Sequence, residues 1–206
     1  MVLFYRGVDD LLENMAEDIT FFLLKNKIIE HEDSDIYIYG FQVMISSLMV
    51  TLSLLGLGII LNKMTLTLIF MFVFISLRIN TGGYHADKFQ GCLTLSLIIY
   101  LSEILLIILV PNNYKMIISI VLLVLGTGII FMKAPVEHKN NPLTLGEKIK
   151  YKNISRAISL AVLAVTLLGF LAKYSLLDYY FMSSLTVMAV AILIIIPLLR
   201  GGVRND

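Results

Sequence analysis

Uncharged apolar segments recur along the chain, each roughly long enough to cross the ~30 Å hydrocarbon core of a bilayer as a helix. In lipid, only helices and closed barrels satisfy their own backbone polar groups. The ten-residue alternating strands of a barrel are absent. Apolar residues make up 58% of the 206 positions and charged residues only 15%, against about 25% charged in ordinary globular domains. The sequence therefore predicts an all-α polytopic membrane protein rather than an unusually apolar soluble bundle.

About six transmembrane helices are predicted, at residues 40–61, 64–81, 92–110, 116–132, 157–172 and 179–199. The second is weak, because only residues 64–77 are free of charge. We expect it to continue past Arg78, whose long side chain can reach the interface. The fifth is also short, so a five-span or re-entrant arrangement is an alternative. The prediction treats residues 1–206 as one membrane domain.

Lysine and arginine are distributed unevenly between the two sides of this layout. If both termini are cytoplasmic, only Lys63, Lys115 and Lys173 of the 16 basic residues lie outside. Such an excess on one side is typical of cytoplasmic loops. We therefore expect a multi-pass cell-membrane protein with cytoplasmic termini and a cytoplasmic loop at 133–156. The net charge of +1 gives no sign of a nucleic-acid partner, and no cleavable signal peptide is evident.

Residues 1–35 precede the first span, and 3–24 are predicted to form an amphipathic helix along the membrane. Its apolar residues recur at three-and-four spacing, at Phe4, Val8, Leu11, Leu12, Met15, Ile19, Phe22 and Leu23. The opposite face is acidic, whereas membrane-surface helices usually carry lysine and arginine there. This face is either solvated or in contact with a basic partner or the protein's own basic loop.

Residues 78–92 form a polar, glycine-containing segment between two apolar spans. It holds the only cysteine, Cys92, and one of three histidines, His85. A thiol beside an imidazole is the minimum equipment for nucleophilic acyl chemistry, because the base takes the thiol proton. Cys92 is expected near the start of the third span, where the positive end of the helix dipole favours a thiolate.

On one straight helix, residues seven positions apart lie about 10.5 Å apart along the axis, whereas a hydrogen bond needs roughly 3 Å. The pair can act together only if the segment is broken. The glycines at 82–83 and Gly91 supply such breaks, so we expect His85 to fold back over Cys92.

Simpler roles remain open for the same residues. A lone cysteine at a span end often serves packing or palmitoylation, and a lone histidine is often interfacial. One cysteine and one histidine fall short of the ligands that zinc takes, so neither a metal nor a cofactor is expected. Asp87, Gln90 and Glu137 are all candidates for a third catalytic member, and the sequence does not choose among them.

Glu103 is an acidic residue within the third span, eleven residues after Cys92. It is expected to contact another helix, in its protonated form. The alternative is the ion or proton site of a transporter or channel.

A basic cluster lies between the fourth and fifth spans, at Lys148, Lys150, Lys152 and Arg156. It serves either to fix topology or to bind an acidic peptide segment.

Arg78, the glycine pair at 82–83, His85 and Cys92 resemble the pattern of the accessory gene regulator protein B (AgrB) family of Gram-positive bacteria. The acidic amphipathic N-terminus, the six-span layout and the segment 135–142 extend the resemblance over nearly the whole chain. The resemblance implies a membrane-embedded cysteine endopeptidase of quorum sensing in a bacterial cell membrane. Such an enzyme cuts the C-terminal part from a small propeptide, AgrD, and helps to form the cyclic autoinducing peptide.

The resemblance also implies residue roles. Cys92 would be the nucleophile and His85 the base, within a catalytic loop at 78–92. The supporting, loop-shaping residues would be Arg78, Gly82, Gly83, Asp87 and Gln90. The implied partners are an AgrD-like propeptide, the bilayer and a second copy of the chain. The basic cluster would receive the acidic propeptide tail, and 3–24 would pack beside the propeptide helix. An acylated membrane anchor that uses Cys92 is the second alternative, beside the transporter.

Overall fold

The computed structural model describes residues 2–82, 89–136, 143–172 and 176–199, with residues 2–10, 89 and 90 described by their backbone alone. These ranges contain seven α-helices, one short 3-10 turn and no strand. In chain order they are α1 (Val2–Lys25), the 3-10 turn (His31–Asp33), α2 (Ser34–Ile60), α3 (Met64–Thr81), α4 (Phe89–Leu109), α5 (Asn112–Lys133), α6 (Leu145–Ala172) and α7 (Leu177–Leu199).

Six of these helices, α2 to α7, are long and apolar enough to cross a membrane. This confirms the predicted all-α class with about six spanning helices, and the protein is a multi-pass membrane protein. α3 covers Met64–Thr81, so the weak second span does continue past Arg78 as a helix. Its 18 residues rise about 27 Å, enough for most of the ~30 Å hydrocarbon core.

The predicted loop at 133–156 is partly helical in the structure, because α6 begins at Leu145. Thr144 and Glu147 form a capping box that starts it: the Glu147 N–H donates to Thr144 Oγ1 (3.3 Å), and the Thr144 N–H donates to Glu147 Oε2 (2.9 Å). The 28 residues of α6 rise about 42 Å, more than a ~30 Å core needs. The helix is therefore long enough for its charged first turns to lie outside the hydrocarbon.

The residues group into two compact units. The first contains α1, α2 up to Leu57 and α4 up to Ile98. Within it, α1 buries one stripe, Leu12, Ala16 and Thr20. The neighbouring apolar residues Leu11 and Met15 are exposed. Among the described side chains, the predicted apolar face of α1 is thus only partly used for packing within the protein; Phe4 and Val8 lie outside them.

The second unit contains α3, the rest of α4, and α5 to α7. α7 packs against α3, α5 and α6, and it buries Phe181, Val190 and Ile194 almost completely. A Cβ added at Gly126 of α5 would lie 3.0 Å from Val187 Cγ1. A small residue here lets the two helices approach closely, as is common between membrane helices.

Polar pairs also cross the second unit. The hydroxyls of Thr67 on α3 and Tyr100 on α4 are 2.7 Å apart. Lys115 of α5 donates to Asp178 of α7 at 2.6 Å, and its side chain is 5% exposed against 47% for the aspartate. These contacts satisfy polar groups that would be costly to leave unpaired in a low-dielectric interior.

Candidate functional site

The end of α3 is fastened to the segment that follows α5. The Val136 N–H donates to Thr81 O at 2.9 Å, and Gly82 forms an isolated parallel bridge with Val136. Gly82 has φ 62° and ψ −137°, a conformation that residues with a Cβ rarely adopt. A Cβ on Gly82 would overlap the carbonyl of Val136, lying 3.2 Å from its carbon and closer still to its oxygen. Glycine is therefore required here both by the backbone angle and by the lack of space.

Arg78, one turn before the end of α3, donates from Nη1 to Gly82 O. This places a cation over the helix C-terminus, where the dipole is negative and the last carbonyls lack helical partners. Arg78 and Gly82 thus meet in one local structure at the start of the predicted catalytic loop.

Cys92 lies at the beginning of α4, in the fourth residue of the helix that starts at Phe89. It is half-buried, and its carbonyl accepts a hydrogen bond from Ser96 Oγ at 2.9 Å. The predicted position near the start of the third span agrees with these bounds. A side chain in the first turn of a helix faces unpaired N–H groups and the positive end of the dipole.

His85, Gly83 and Asp87 lie in the range 83–88, outside the described residues, and Gln90 is described by its backbone alone. Glu137 likewise lies outside them. The approach of His85 to Cys92 and the choice of a third catalytic member therefore stay predictions.

The basic cluster lies on the first three turns of α6. Lys150 and Lys152 are exposed and Lys148 is half-buried. Two hydrogen bonds from Thr144 hold the pKa of the Glu147 carboxyl below its ordinary value. The bond from the backbone N–H has the larger effect, and the bond from the hydroxyl comes second. Because Glu147 is ionised at neutral pH, it complements the positive end of the helix from which the lysines project.

Arg156 differs from these lysines because its guanidinium contacts α5. Nη2 donates to Phe131 O at 2.7 Å, and the guanidinium carbon lies 5.0 Å from the centre of the Phe131 ring. The carbonyl of Phe131 belongs to the last turn of α5 and has no helical partner. Arg156 therefore caps α5 and packs on its aromatic ring; a role in binding a substrate tail stays a prediction.

Glu103 makes the expected contact across helices, with Thr186 of α7. Thr186 Oγ1 lies 2.8 Å from Glu103 Oε2, and the glutamate is 3% exposed. Sequence analysis identified Glu103 but not Thr186, nor Val136 and Phe131, the partners of Gly82 and Arg156. An ordinary threonine, valine or phenylalanine in an apolar run carries no sequence signal for such long-range contacts.

Comparisons with known proteins agree with this layout. A family model described as Accessory gene regulator B matches residues 16–198. A protein of Clostridium perfringens (strain 13 / Type A), named by its likeness to AgrB, is 30% identical over 175 residues, which cover 82% of this chain and 79% of the relative. A second such protein, from Clostridium perfringens (strain SM101 / Type A), is 29% identical over 172 residues, covering 81% and 80%. No solved structure matches the chain.

Proposed function

The chain belongs to the accessory gene regulator B (AgrB) family, and from this premise we propose that it is a membrane-embedded cysteine endopeptidase with Cys92 as nucleophile and His85 as base. Membership of the family implies a role in processing a quorum-sensing peptide at the membrane. The observation that carries the finer proposal is the position of the only cysteine, in the first turn of α4 and within the matched range. The substrate in this proposal is an AgrD-like propeptide, cut at the N-terminal side of its C-terminal part.

The proposed reaction begins with a proton transfer. His85 takes the proton of the Cys92 thiol, and the thiolate attacks the scissile carbonyl. When the tetrahedral intermediate collapses, the C–N bond breaks, His85 returns the proton to the leaving amine, and an acyl-enzyme thioester remains. A thiol or hydroxyl of the same peptide then attacks that thioester, forming a thiolactone or lactone and releasing Cys92. Exchange of one thioester for another is nearly energy-neutral, so this ring closure needs no ATP.

The start of α4 supports such chemistry in two ways. The N–H groups of a first helical turn have no helical acceptors, so they are suitable donors to an oxyanion. Partial burial of Cys92 restricts access of water, which would otherwise hydrolyse the thioester before the ring closes.

The supporting residues act, in this proposal, on the loop that carries His85. Arg78 and Gly82 fix the backbone from which the loop departs, whereas Gly83, Asp87 and Gln90 shape the loop itself. The loop and both termini are cytoplasmic in the proposed orientation, so the propeptide is cut on the side where it is made.

The test is co-expression with short peptides encoded near the gene, followed by mass spectrometry of the released C-terminal fragment. His85→Ala and Cys92→Ala are expected to abolish cleavage while the protein remains in the membrane. His31→Ala is the matched control, because His31 is an exposed histidine in the 3-10 turn, and it should cleave as wild type. Normal cleavage by either the His85 or the Cys92 variant would refute the proposal.

Binding of the acidic tail is tested separately. Lys148→Glu with Lys152→Glu is expected to weaken cleavage, most strongly at low ionic strength, because surface charge interactions are screened by salt. Arg156 is kept in this test, since its loss would also uncap α5. Lys63→Glu, an exposed lysine outside α6, is the control. A propeptide whose tail carries lysines should recover cleavage with the double variant; if it does not, these lysines do not bind the tail.

A further inference from the structure

Glu103 is an acid buried inside the second unit. It is 3% exposed, and the buried lysine of this unit, Lys115, pairs with Asp178 and not with Glu103. Its side-chain contact is the hydroxyl of Thr186, 2.8 Å from Oε2. An ionised carboxylate without a cation is costly in such a place.

The Thr186 hydroxyl lies close to two acceptors. Thr186 Oγ1 also lies 2.9 Å from Met182 O, within hydrogen-bond distance. A hydroxyl has one hydrogen to donate, and both a carbonyl oxygen and an ionised carboxylate only accept. The two contacts can therefore be separate two-centre hydrogen bonds at the same time only if Glu103 supplies a proton; otherwise the single hydroxyl hydrogen is shared between the two acceptors. A protonated Glu103 donates to Thr186 Oγ1, which in turn donates to Met182 O.

Two side-chain hydrogen bonds join α4 to other helices of the second unit. Close backbone packing joins α3, α5, α6 and α7, whereas α4 contributes buried side chains. Among the described residues, these hydrogen bonds are the pairs Tyr100–Thr67 and Glu103–Thr186. Cys92 lies on the same helix, eleven residues before Glu103.

We propose that Glu103 is a protonated carboxylic acid in the resting protein, and that its hydrogen bond to Thr186 holds α4 and thereby positions Cys92. Glu103 is then a positioning residue, not an ion-conducting one. The expected effect of Glu103 on peptide cleavage rests on the proposed function. The protonation state of Glu103 and its effect on the Cys92 thiol do not.

The proton is tested by infrared difference spectroscopy of the purified protein in lipid. A protonated carboxyl has a carbonyl-stretch band that an ionised carboxylate lacks. The wild type minus Glu103→Gln spectrum is expected to contain this band, and Thr186→Val should shift it, because the hydrogen bond is lost. A difference spectrum at neutral pH with only carboxylate bands would overturn the proposal.

The positioning role is tested by alkylation of Cys92, which reports on one site because the chain has a single cysteine, and by peptide cleavage. Glu103→Gln keeps a neutral donor at the same place, so both rates should stay within about twofold of wild type. Glu103→Ala and Thr186→Val should change both by roughly threefold or more, the equilibrium effect of an average interhelical hydrogen bond in a membrane. Even where Glu103→Ala fails to fold, the other two variants decide the outcome.

Thr127→Val is the matched control for Thr186→Val, since Thr127 is a buried threonine of the same unit whose hydroxyl has no hydrogen-bond partner among the described residues. It should leave alkylation and cleavage unchanged. If Glu103→Gln abolishes activity in a folded protein, Glu103 must ionise and the proposal is wrong. If wild type fails to cleave any peptide, the proposed function fails, while alkylation and the infrared band still test this inference.

Discussion

Replacing Gly82 with alanine is expected to destabilise the junction between α3 and the residues after α5. Two costs combine. The backbone at φ 62° and ψ −137° is nearly restricted to glycine, and such a conformation costs another residue about 1–3 kcal/mol. The new Cβ also overlaps the Val136 carbonyl, 3.2 Å from its carbon and closer to its oxygen, so that segment has to move.

That movement acts on the hydrogen bond from the Val136 N–H to Thr81 O, which is 2.9 Å long in the native structure. Its net contribution is about 0.5–1.5 kcal/mol. The sum for Gly82→Ala is therefore about 2–4 kcal/mol. For a chain of this size, each kcal/mol corresponds to about 2–4 °C in Tm, so a decrease of roughly 4–16 °C is expected.

The assay is thermal unfolding of the purified protein in one detergent, with Cys92 alkylation as a second measurement. Gly128→Ala is the control, because a Cβ there meets nothing within 4 Å and alanine is the better helix former. Gly128→Ala should match or exceed the Tm of wild type. Equal Tm values for the two variants would refute the requirement for glycine at position 82.

Three further perturbations have defined outcomes. Arg156→Ala removes the cap of α5 and the ring contact and should lower the free energy of unfolding by about 1–3 kcal/mol, measured by Tm against wild type; an unchanged Tm would contradict the capping role. The pKa of Glu147 is lowered in the folded protein, so the contribution of this carboxylate to stability should be complete above the ordinary glutamate pKa and be lost as pH falls through the lowered value. Thr144→Ala should therefore remove this part of the pH dependence of Tm. A pH profile of Tm identical to that of wild type would argue against the capping box. Asp178→Asn should destabilise by about 2 kcal/mol, and more than Lys115→Met, because it leaves the more buried partner charged and unpaired; the reverse order in Tm would contradict this reasoning.

Much of the membrane topology could be predicted from the sequence, because the length and charge of apolar runs are local properties. α3 covers the predicted range 64–81, and α7 begins two residues before its predicted span. The start of α6 is harder to predict, since the charges at 148–156 mark where the hydrocarbon ends but not where the helix ends. The capping box at Thr144 is the available local signal for the true start.

In the candidate site too, the features set by neighbouring residues can be predicted from the sequence, whereas contacts between distant residues cannot. The place of Cys92 in the first turn of α4 follows from the neighbouring glycine and the apolar run after it. The partners of Gly82 and Arg156 do not, because Val136 and Phe131 are 54 and 25 positions away in the chain and carry no charge or motif. A single sequence contains no record of which distant residue meets which, so contacts of this kind require coordinates.

The ends of α3 and α5 satisfy their backbone carbonyls in related ways. Thr81 O accepts from the Val136 N–H, Gly82 O accepts from Arg78, and the end of α5 accepts from Arg156. Carbonyls at helix ends otherwise need water, which is scarce beside lipid. The backbone up to Gly82 is thereby fixed by residues that do no chemistry. If His85 acts as proposed, its position depends on this junction, and substitutions at Gly82 or Arg78 should lower the rate of cleavage more than they weaken peptide binding.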